Sequence, residues 1–562
     1  MTTRIIFCFC LAIFCSTSIE ALCQPISSST KIRLPDEFSA HQPTILPVLT
    51  NNGKRLYFDR KNFAGNIGAT NDFDDIWFAD LLPNGSWSKA QSVGRPLDTE
   101  GSDVLCSLSP DDRTALVYGI YDKELPVKNE GFSLTHFKNG EWQFPQPIQI
   151  RNFYNRTKKY YARLAPDNRT LLLALQRNDA LGGLDLYVSF REGVSLQWSE
   201  PRHLGATLNT SAAEGSPHLA PDGKTLYFSS EGLAGSGVAD LFVTQRLDDS
   251  WQRWSTPVNL GSGINTGEED SSIDVTLDGI SAYFLSSDAD GKKGLFKATL
   301  PDSMRHSGAV LLHGRTKLDK SWEKALKSGQ SHAFLPKSEA KVLLTAHGMM
   351  RDSAANARPT LFSLTETTLG EIDEYALALP AQGVYVLRAS IDSAEAIPDW
   401  IGVVDTRGNF QGNERLERRE QHIVFGLQAP SHLDFPPIRF AQEQATIAPE
   451  HAQTLTMIAY AYTLRQAQIA APGASQRVVV EITGHTCDLG TNEENDMLAQ
   501  ERAEAVATLL ESQGVPHGAI TVRSEGERKP LSRSQFDEAR ALNRRVEVRV
   551  MVQGQAQKRA QR

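Results

Sequence analysis

Cysteine is scarce in this chain and poorly placed for cross-linking. Cys8, Cys10, Cys15 and Cys23 crowd the first residues, which leaves Cys106 and Cys487 far apart. Two such residues make no disulfide framework, even in an oxidising compartment. Long apolar runs are as rare: beyond residue 25 nothing approaches the roughly 18 apolar residues that a transmembrane helix requires. Basic charge is in deficit too. The formal net charge is -9, and without basic surface there is no electrostatic footprint for nucleic acid. Only Lys558 to Arg562 form a small basic tail, and residues 553–562 are expected to be disordered. Signatures of catalysis are missing as well: there is no GxSxG elbow, HExxH pair or P-loop, and the 13 histidines do not cluster at metal-ligand spacing. A non-enzymatic protein without cofactor or metal is expected.

What is present begins with an export signal. Arg4 supplies a positive charge, residues 5–15 (IIFCFCLAIFC) are apolar but too short to span a bilayer, and small and polar residues follow up to Ala21. Residues 1–24 therefore read as a secretory signal peptide, placing the mature chain in the envelope. Lipidation would need a small residue before the acceptor cysteine, whereas Phe14 precedes Cys15 and Leu22 precedes Cys23. At 562 residues the chain exceeds what one core supports, and three or four domains are expected.

A repeat dominates the first half. LTNNGKRLYF starts at Leu49, LSPDDRTALVYG at Leu108, LAPDNRTLLLAL at Leu164, LAPDGKTLYFSS at Leu219 and VTLDGISAYFLSS at Val275, at spacings of 59, 56, 55 and 56 residues. Each unit is a turn between two strand-like runs. Asp75-Ile76-Trp77, Asp185-Leu186-Tyr187 and Asp240-Leu241-Phe242 open a further strand, and Trp87, Trp142, Trp198 and Trp254 follow. A period near 56 with about four strands fits units that bury their faces against their neighbours. The pattern resembles the WD40-like PD40 repeats of bacterial envelope proteins, which implies a β-propeller over residues 30–303. Five blades are visible, and a sixth could be assembled from the segment before Leu49 and strands after Phe296. The tryptophans are expected to pack between blades and the aspartates to hold turns rather than metal. Asp288-Ala289-Asp290-Gly291 lacks the remaining ligands of a calcium loop and reads as a surface turn.

Residues 305–428 carry alternating runs at 340–346 and 383–389 that suit half-buried strands. YALALPAQGVYVLRAS, Tyr375 to Ser390, resembles the end of a carboxypeptidase-regulatory-like β-sandwich, which implies a small β-sandwich spacer. Pro430 to Pro437 is expected to hold the boundary that follows.

The last region carries the most specific pattern. A strand-like IRFAQEQATI precedes a helix-like stretch from Pro449, with Leu455, Ile458 and Tyr462 at helical spacing. A strand through Val478 to Ile482 runs into Gly484-His485-Thr486-Cys487-Asp488-Leu489-Gly490. A helix follows with Asn495, Leu498, Arg502, Val506 and Leu509, ending near Gly514, and Asn543-Arg544-Arg545-Val546-Glu547 opens a terminal strand. Asn495 and Arg502 lie seven residues apart, within about 20° of one helix face, and a guanidinium fork suits a carboxylate.

These four pieces in order resemble the OmpA C-terminal family over residues 435–552. The resemblance implies an α/β sandwich that binds peptidoglycan through its diaminopimelate-bearing stem peptide. In that family an aspartate after GHT and the arginine of the next helix grip the diaminopimelate head. Arg502 matches the arginine, but Cys487 stands where the aspartate belongs, with Asp488 next to it. Thr486, Cys487, Asp488, Asn495, Arg502 and Arg544 are thus the candidate peptidoglycan-binding residues.

The expected architecture is multi-domain and β-rich: a propeller of five or six blades, a small β-sandwich and a C-terminal α/β OmpA-like sandwich. Two functions fit it. In one, a scaffold in the periplasm, associated with the outer membrane or the wall, binds peptidoglycan and presents its propeller to an envelope protein partner. The order of domains is similar to that of wall-anchoring subunits of type IX secretion systems, although their tetratricopeptide segment is missing. In the other, the propeller senses or carries a small ligand or glycan and the last domain only retains it at the wall.

Overall fold

The computed structural model describes residues 31–38, 46–69, 74–123, 129–192, 196–318, 341–348, 360–368, 374–381, 383–392, 399–407, 416–421, 423–425, 432–469 and 476–554. The expected signal peptide and nearly all of the basic tail lie outside the described residues. Among the described residues no helix is long and apolar enough to cross a membrane.

Residues 32–299 form five antiparallel sheets built on one plan. The first comprises Val48–Leu49, Arg55–Lys61, Asp74–Asp80 and Gln91–Ser92; the third Tyr161–Leu164, Thr170–Leu175, Asp185–Phe190 and Arg202–His203; the fourth Glu214–Leu219, Thr225–Ser230, Asp240–Gln245 and Val258–Asn259. The second, with Leu105–Leu108, Thr114–Ile120 and Asn129–Lys138, adds the short Glu141–Trp142 and Gln146–Pro147. In the fifth, Ser271–Val275, Ser281–Ser287 and Lys293–Thr299 are completed by Ile32–Arg33 from the start of the described chain. Of the two pieces from which a sixth blade could be assembled, Ile32–Arg33 completes the fifth sheet, whereas Ala309–Leu318, the strand that follows Lys293–Thr299, pairs in the next segment.

Each sheet covers the next. One hydrophobic cluster joins the first and second sheets, others the second and third, third and fourth, and fourth and fifth, and Tyr283 and Leu295 of the fifth pack with Leu56, Phe58 and Trp77 of the first. In Thr170–Leu175, Leu171, Leu173 and Leu175 enter the cluster shared with the second sheet, while Leu172 and Ala174 enter that shared with the fourth. Side chains alternate between faces of a strand, so a strand covered on both faces is apolar throughout. Trp142, Trp198 and Trp254 sit in these inter-sheet clusters, and Trp87 packs against the one that joins fifth to first.

The repeated polar residues hold turns. Asp167 accepts from the N–H groups of Arg169 and Thr170, and Asp222 from those of Lys224 and Thr225. Asp75, Asp185 and Asp240 accept from the backbone N–H of Ile67, Leu181 and Ser236 in the loop before each strand. Asp288 caps its own turn through Asp290 and Lys292 and pairs with Arg33. A second repeated device is Leu97-Asp98-Thr99, Leu208-Asn209-Thr210 and Ile264-Asn265-Thr266. The middle residue accepts from the N–H of Ile76, Leu186 or Leu241 at 2.7–2.9 Å. Both asparagines also donate to the carbonyl of that same residue, at 3.1 and 3.0 Å.

The next segment forms two sheets, one of Ala309–Leu318, Glu374–Pro380, Leu416–Glu420 and Ile423–Phe425, the other of Lys341–Gly348, Thr360–Thr368, Val384–Asp392 and Trp400–Asp405. Leu312, Leu377 and Leu379 from one meet Leu344, Tyr385 and Leu387 from the other in a single core. In the last segment, Gln476–His485 runs parallel to Ile520–Gly526 and antiparallel to Arg545–Gly554, whose far side pairs with His432–Asp434 and Ile438–Arg439. Of the strand-like IRFAQEQATI, only Ile438–Arg439 is strand. Helices α1 (Ala452–Ile469), α2 (Asn492–Ser512) and α3 (Asp537–Asn543) belong to this segment. Leu455 and Ile458 of α1 share a core with Val480, Ile482 and Val548 of the sheet, and Val384, Val386 and Ile401 of the middle segment join it.

Asp98 yields a test. It is the acidic member of a set otherwise filled by asparagine, it is fully buried, and Asp75 and Asp103 bring their carboxylates within 4.8 Å. Burial pushes its carboxyl up to about 7. A carboxyl raised in the folded state contributes most below the unfolded value near 3.8, and that contribution is lost as pH rises towards 7. Between pH 4 and pH 8 the stability of Asp98→Asn should therefore shift by roughly 2–4 kcal/mol in its favour relative to the parent, in urea titrations at several pH values, since the bonds that Asp98 Oδ2 accepts from Ser92 and Gly94 are lost at every pH.

Candidate functional site

The loop after Gln476–His485 is built from the strand outward. At Gly484 the sheet presses on α2 so closely that a Cβ would lie 1.9 Å from the carbonyl oxygen of Ala499, so only glycine fits. His485 and Thr486 continue inward, both 2% exposed, and the Thr486 N–H donates to Gly526 O at 2.9 Å. The turn closes at Gly490, whose φ of +97° favours glycine. Thr491 then caps α2 in a reciprocal capping box with Glu494. This fixes the helix start, and with it the face that carries Asn495 and Arg502.

That face is turned inward. Asn495 is 3% exposed and Arg502 fully buried. The Arg502 guanidinium does not present an open fork, as its spacing suggested. Its Nε donates to Gln444 O at 2.8 Å, Nη1 to His485 O at 3.2 Å and Nη2 to Ala441 O at 3.0 Å, and the group lies over the Phe440 ring at 5.2 Å. It thereby ties the segment after Ile438–Arg439, the GHT strand and α2 to one another. Five N–H donors with three such bonds leave Nη1 and Nη2 one N–H each. Burial pulls the guanidinium down to about 10, still far above neutral pH, so a buried positive charge persists here. Arg544, also buried, donates to Phe440 O and pairs with Asp537.

The remaining candidates divide. Cys487, 6% exposed, is a free thiol close enough to Arg502 to interact electrostatically. The Thr486 hydroxyl and both ring nitrogens of His485 are buried without hydrogen-bond partners. Burial, reinforced by Arg545, brings the imidazole down to about 4 and keeps it neutral. Asn495 donates to Glu527 Oε2 at 2.8 Å. Asp488 is on the rim and engaged: Arg540 of α3 holds it through Nε at 2.6 Å and Nη2 at 3.2 Å, which lowers its carboxyl below the ordinary range. The structure thus gathers Thr486, Cys487, Asn495, Arg502 and Arg544 and leaves Asp488 paired outside. Glu527, Arg540 and Phe440 went unnoticed in the sequence. Glu527 directly follows the glycine that ends a strand, the only local hint of its position.

A second concavity, about 240 Å3, opens where the inner strands of the five sheets converge, lined by Val48, Ser107, Arg163, His218 and Asp274, one from each, and by Arg418 of the middle segment. Arg163 and Asp274 form a buried ion pair, and Leu49 N donates to Asp274 at 2.8 Å. Burial, with Arg163 nearby, holds the His218 imidazole well below its ordinary range.

Residues 439–544 match the OmpA family. Among curated proteins, the peptidoglycan-associated lipoprotein of Pseudomonas aeruginosa is 40% identical over 77 residues, covering 14% of this chain and 45% of that protein. The chain spans less than half the length of the curated relatives it first matches. Among solved structures, the peptidoglycan-associated lipoprotein from Burkholderia pseudomallei is 26% identical with a TM-score of 0.18, covering 21% of this chain and 89% of that one. TolB from Acinetobacter baumannii is 14% identical with a TM-score of 0.30, covering 47% of this chain and 55% of that one. The C-terminal domain of this β-rich, multi-domain chain is OmpA-like.

The three carbonyl contacts make Arg502 structural as well as electrostatic. Arg502→Ala should lower unfolding free energy by roughly 2–4 kcal/mol in urea titrations, because it strands buried acceptors that a charged donor had satisfied. Arg502→Lys, with one point donor for three divergent acceptors, should recover less than half of that loss.

Proposed function

We propose that this chain is a cell-envelope scaffold that holds peptidoglycan non-covalently at its OmpA-like domain and presents the five-sheet assembly, as a β-propeller, to a protein partner. The protein is a peptidoglycan-associated envelope protein of the outer membrane or cell wall. The finer reading rests on one observation: the buried Arg502 guanidinium, bonded only to uncharged carbonyls, lies against a turn with a partnerless Thr486 hydroxyl, and Cys487 stands where the resemblance places the family's acid. A region so charged favours an entering carboxylate, and the second carboxylate of diaminopimelate is a ligand of that kind. Thr486 supplies a hydroxyl, Asn495 shapes the adjoining wall, and Arg502 holds the backbone that surrounds them while contributing positive field. The propeller reading is supported by the common plan of the five sheets and by their closed cycle of shared clusters.

The alternative, a propeller that binds a small ligand or glycan, is favoured by the cavity at the inner strands. Against it, the buried charges of Arg163 and Asp274 already neutralise each other there.

Two measurements test these readings. The mature chain should cosediment with sacculi whose stem peptides carry diaminopimelate, and about tenfold less with sacculi that carry lysine, which lacks the second carboxylate. Retention in the supernatant with both would refute wall binding. Copurification from solubilised envelopes should return defined protein partners. A chain recovered alone with a bound small molecule would favour the alternative.

A further inference from the structure

The loss of the acid at Cys487 leaves a chemical gap. The head group of diaminopimelate is zwitterionic, and a site built on Arg502 and Arg544 suits its carboxylate but repels its ammonium. Some carboxylate must face that ammonium if the head is to be held whole. Asp488, the neighbour in sequence, is clamped by Arg540, and around the turn Asp496 is paired with Arg528, Glu525 with Lys529 and Glu547 with Arg545.

Glu527 differs from these. Its Oε2 accepts from Asn495 Nδ2 at 2.8 Å, and among the described residues it has no cationic partner. Its place is set by backbone: Thr486 N–H donates to Gly526 O at 2.9 Å, so Glu527 leaves the sheet directly beside Thr486 and Cys487. Asn495, buried on the inward face of α2, fixes one carboxylate oxygen and leaves the other free to accept. The side chain is half-buried, which keeps it reachable while weakening competition from water.

We propose that Glu527 is the residue that binds the ammonium of the ligand's zwitterionic head, from the strand end next to the turn rather than from the turn position of the family's acid. The inference rests on the peptidoglycan reading above and deepens it: the carboxylate is met at the buried end, by Thr486 and the field of Arg502 and Arg544, and the ammonium at the rim, by Glu527. Cys487 then needs only to be small.

Calorimetry on the mature chain tests this with two probes, a diaminopimelate-containing tripeptide and the same peptide acetylated on its free diaminopimelate amine. The parent should prefer the unmodified peptide by about tenfold. Glu527→Gln, which still accepts from Asn495, should erase that preference by weakening the unmodified peptide alone, and adding Cys487→Asp should restore it. Equal weakening of both peptides would mean that Glu527 only positions the wall, and a preference that survives in Glu527→Gln would likewise overturn the assignment. If the parent binds without preference, Glu527 has no such role while wall binding stands. If it binds neither peptide nor sacculi, the peptidoglycan reading fails and this inference with it.

Discussion

A four-stranded sheet whose middle strands are apolar on both faces cannot leave either face in water, and between residues 32 and 299 every sheet is the cover of the next. The requirement is unforgiving because it has no natural end: a row of such sheets would expose one face at each extremity. The chain removes both extremities at once by packing the fifth sheet on the first. Ile32–Arg33 completes the fifth sheet, although it lies more than 230 residues before that sheet's other strands. Leu34 and Phe38, just behind it, enter the cluster that joins the fifth sheet to the first. Closure is therefore covalently tied to the start of the repeat region, which couples the five units into one body.

The C-terminal domain meets a different constraint. Its sheet and α2 approach so closely at Gly484 that the strand end, the turn and the helix start cannot move independently. Arg502 completes the lock by donating to three carbonyls from two other segments. The cost of burying that guanidinium is offset by charge-assisted bonds and by contact with Phe440, and the charge stays in place. A rigid wall and a persistent positive field thus come from one residue. Since the middle segment contributes Val384, Val386 and Ile401 to the same core, the C-terminal domain is braced against its neighbour rather than hung from a free linker.

The periodicity of turn and strand made the five units legible, because a tight turn demands particular residues and a strand covered on both faces demands apolar ones, and each demand is local. The GHT turn, its glycine and the seven-residue step from Asn495 to Arg502 were legible for the same reason. The spacing places both residues on one face but does not say what that face meets, and three of the five donors of Arg502 meet backbone carbonyls there. Asp488 was a candidate by adjacency alone, and it is engaged by Arg540, more than fifty residues later.

By itself, then, the sequence determined the repeat unit and the identity of the C-terminal turn, both of which follow from residues close together in the chain. Only the tertiary structure decided which strand completes the fifth sheet, which carboxylates around the turn are already paired, and that Glu527 is held by Asn495 next to the strand end that bonds Thr486. Those outcomes depend on pairings such as Ile32 with Lys297, Thr486 with Gly526 and Asn495 with Glu527. Hydrogen bonds and ion pairs between distant segments leave no periodic trace in a sequence, because each requires a single residue at a single place.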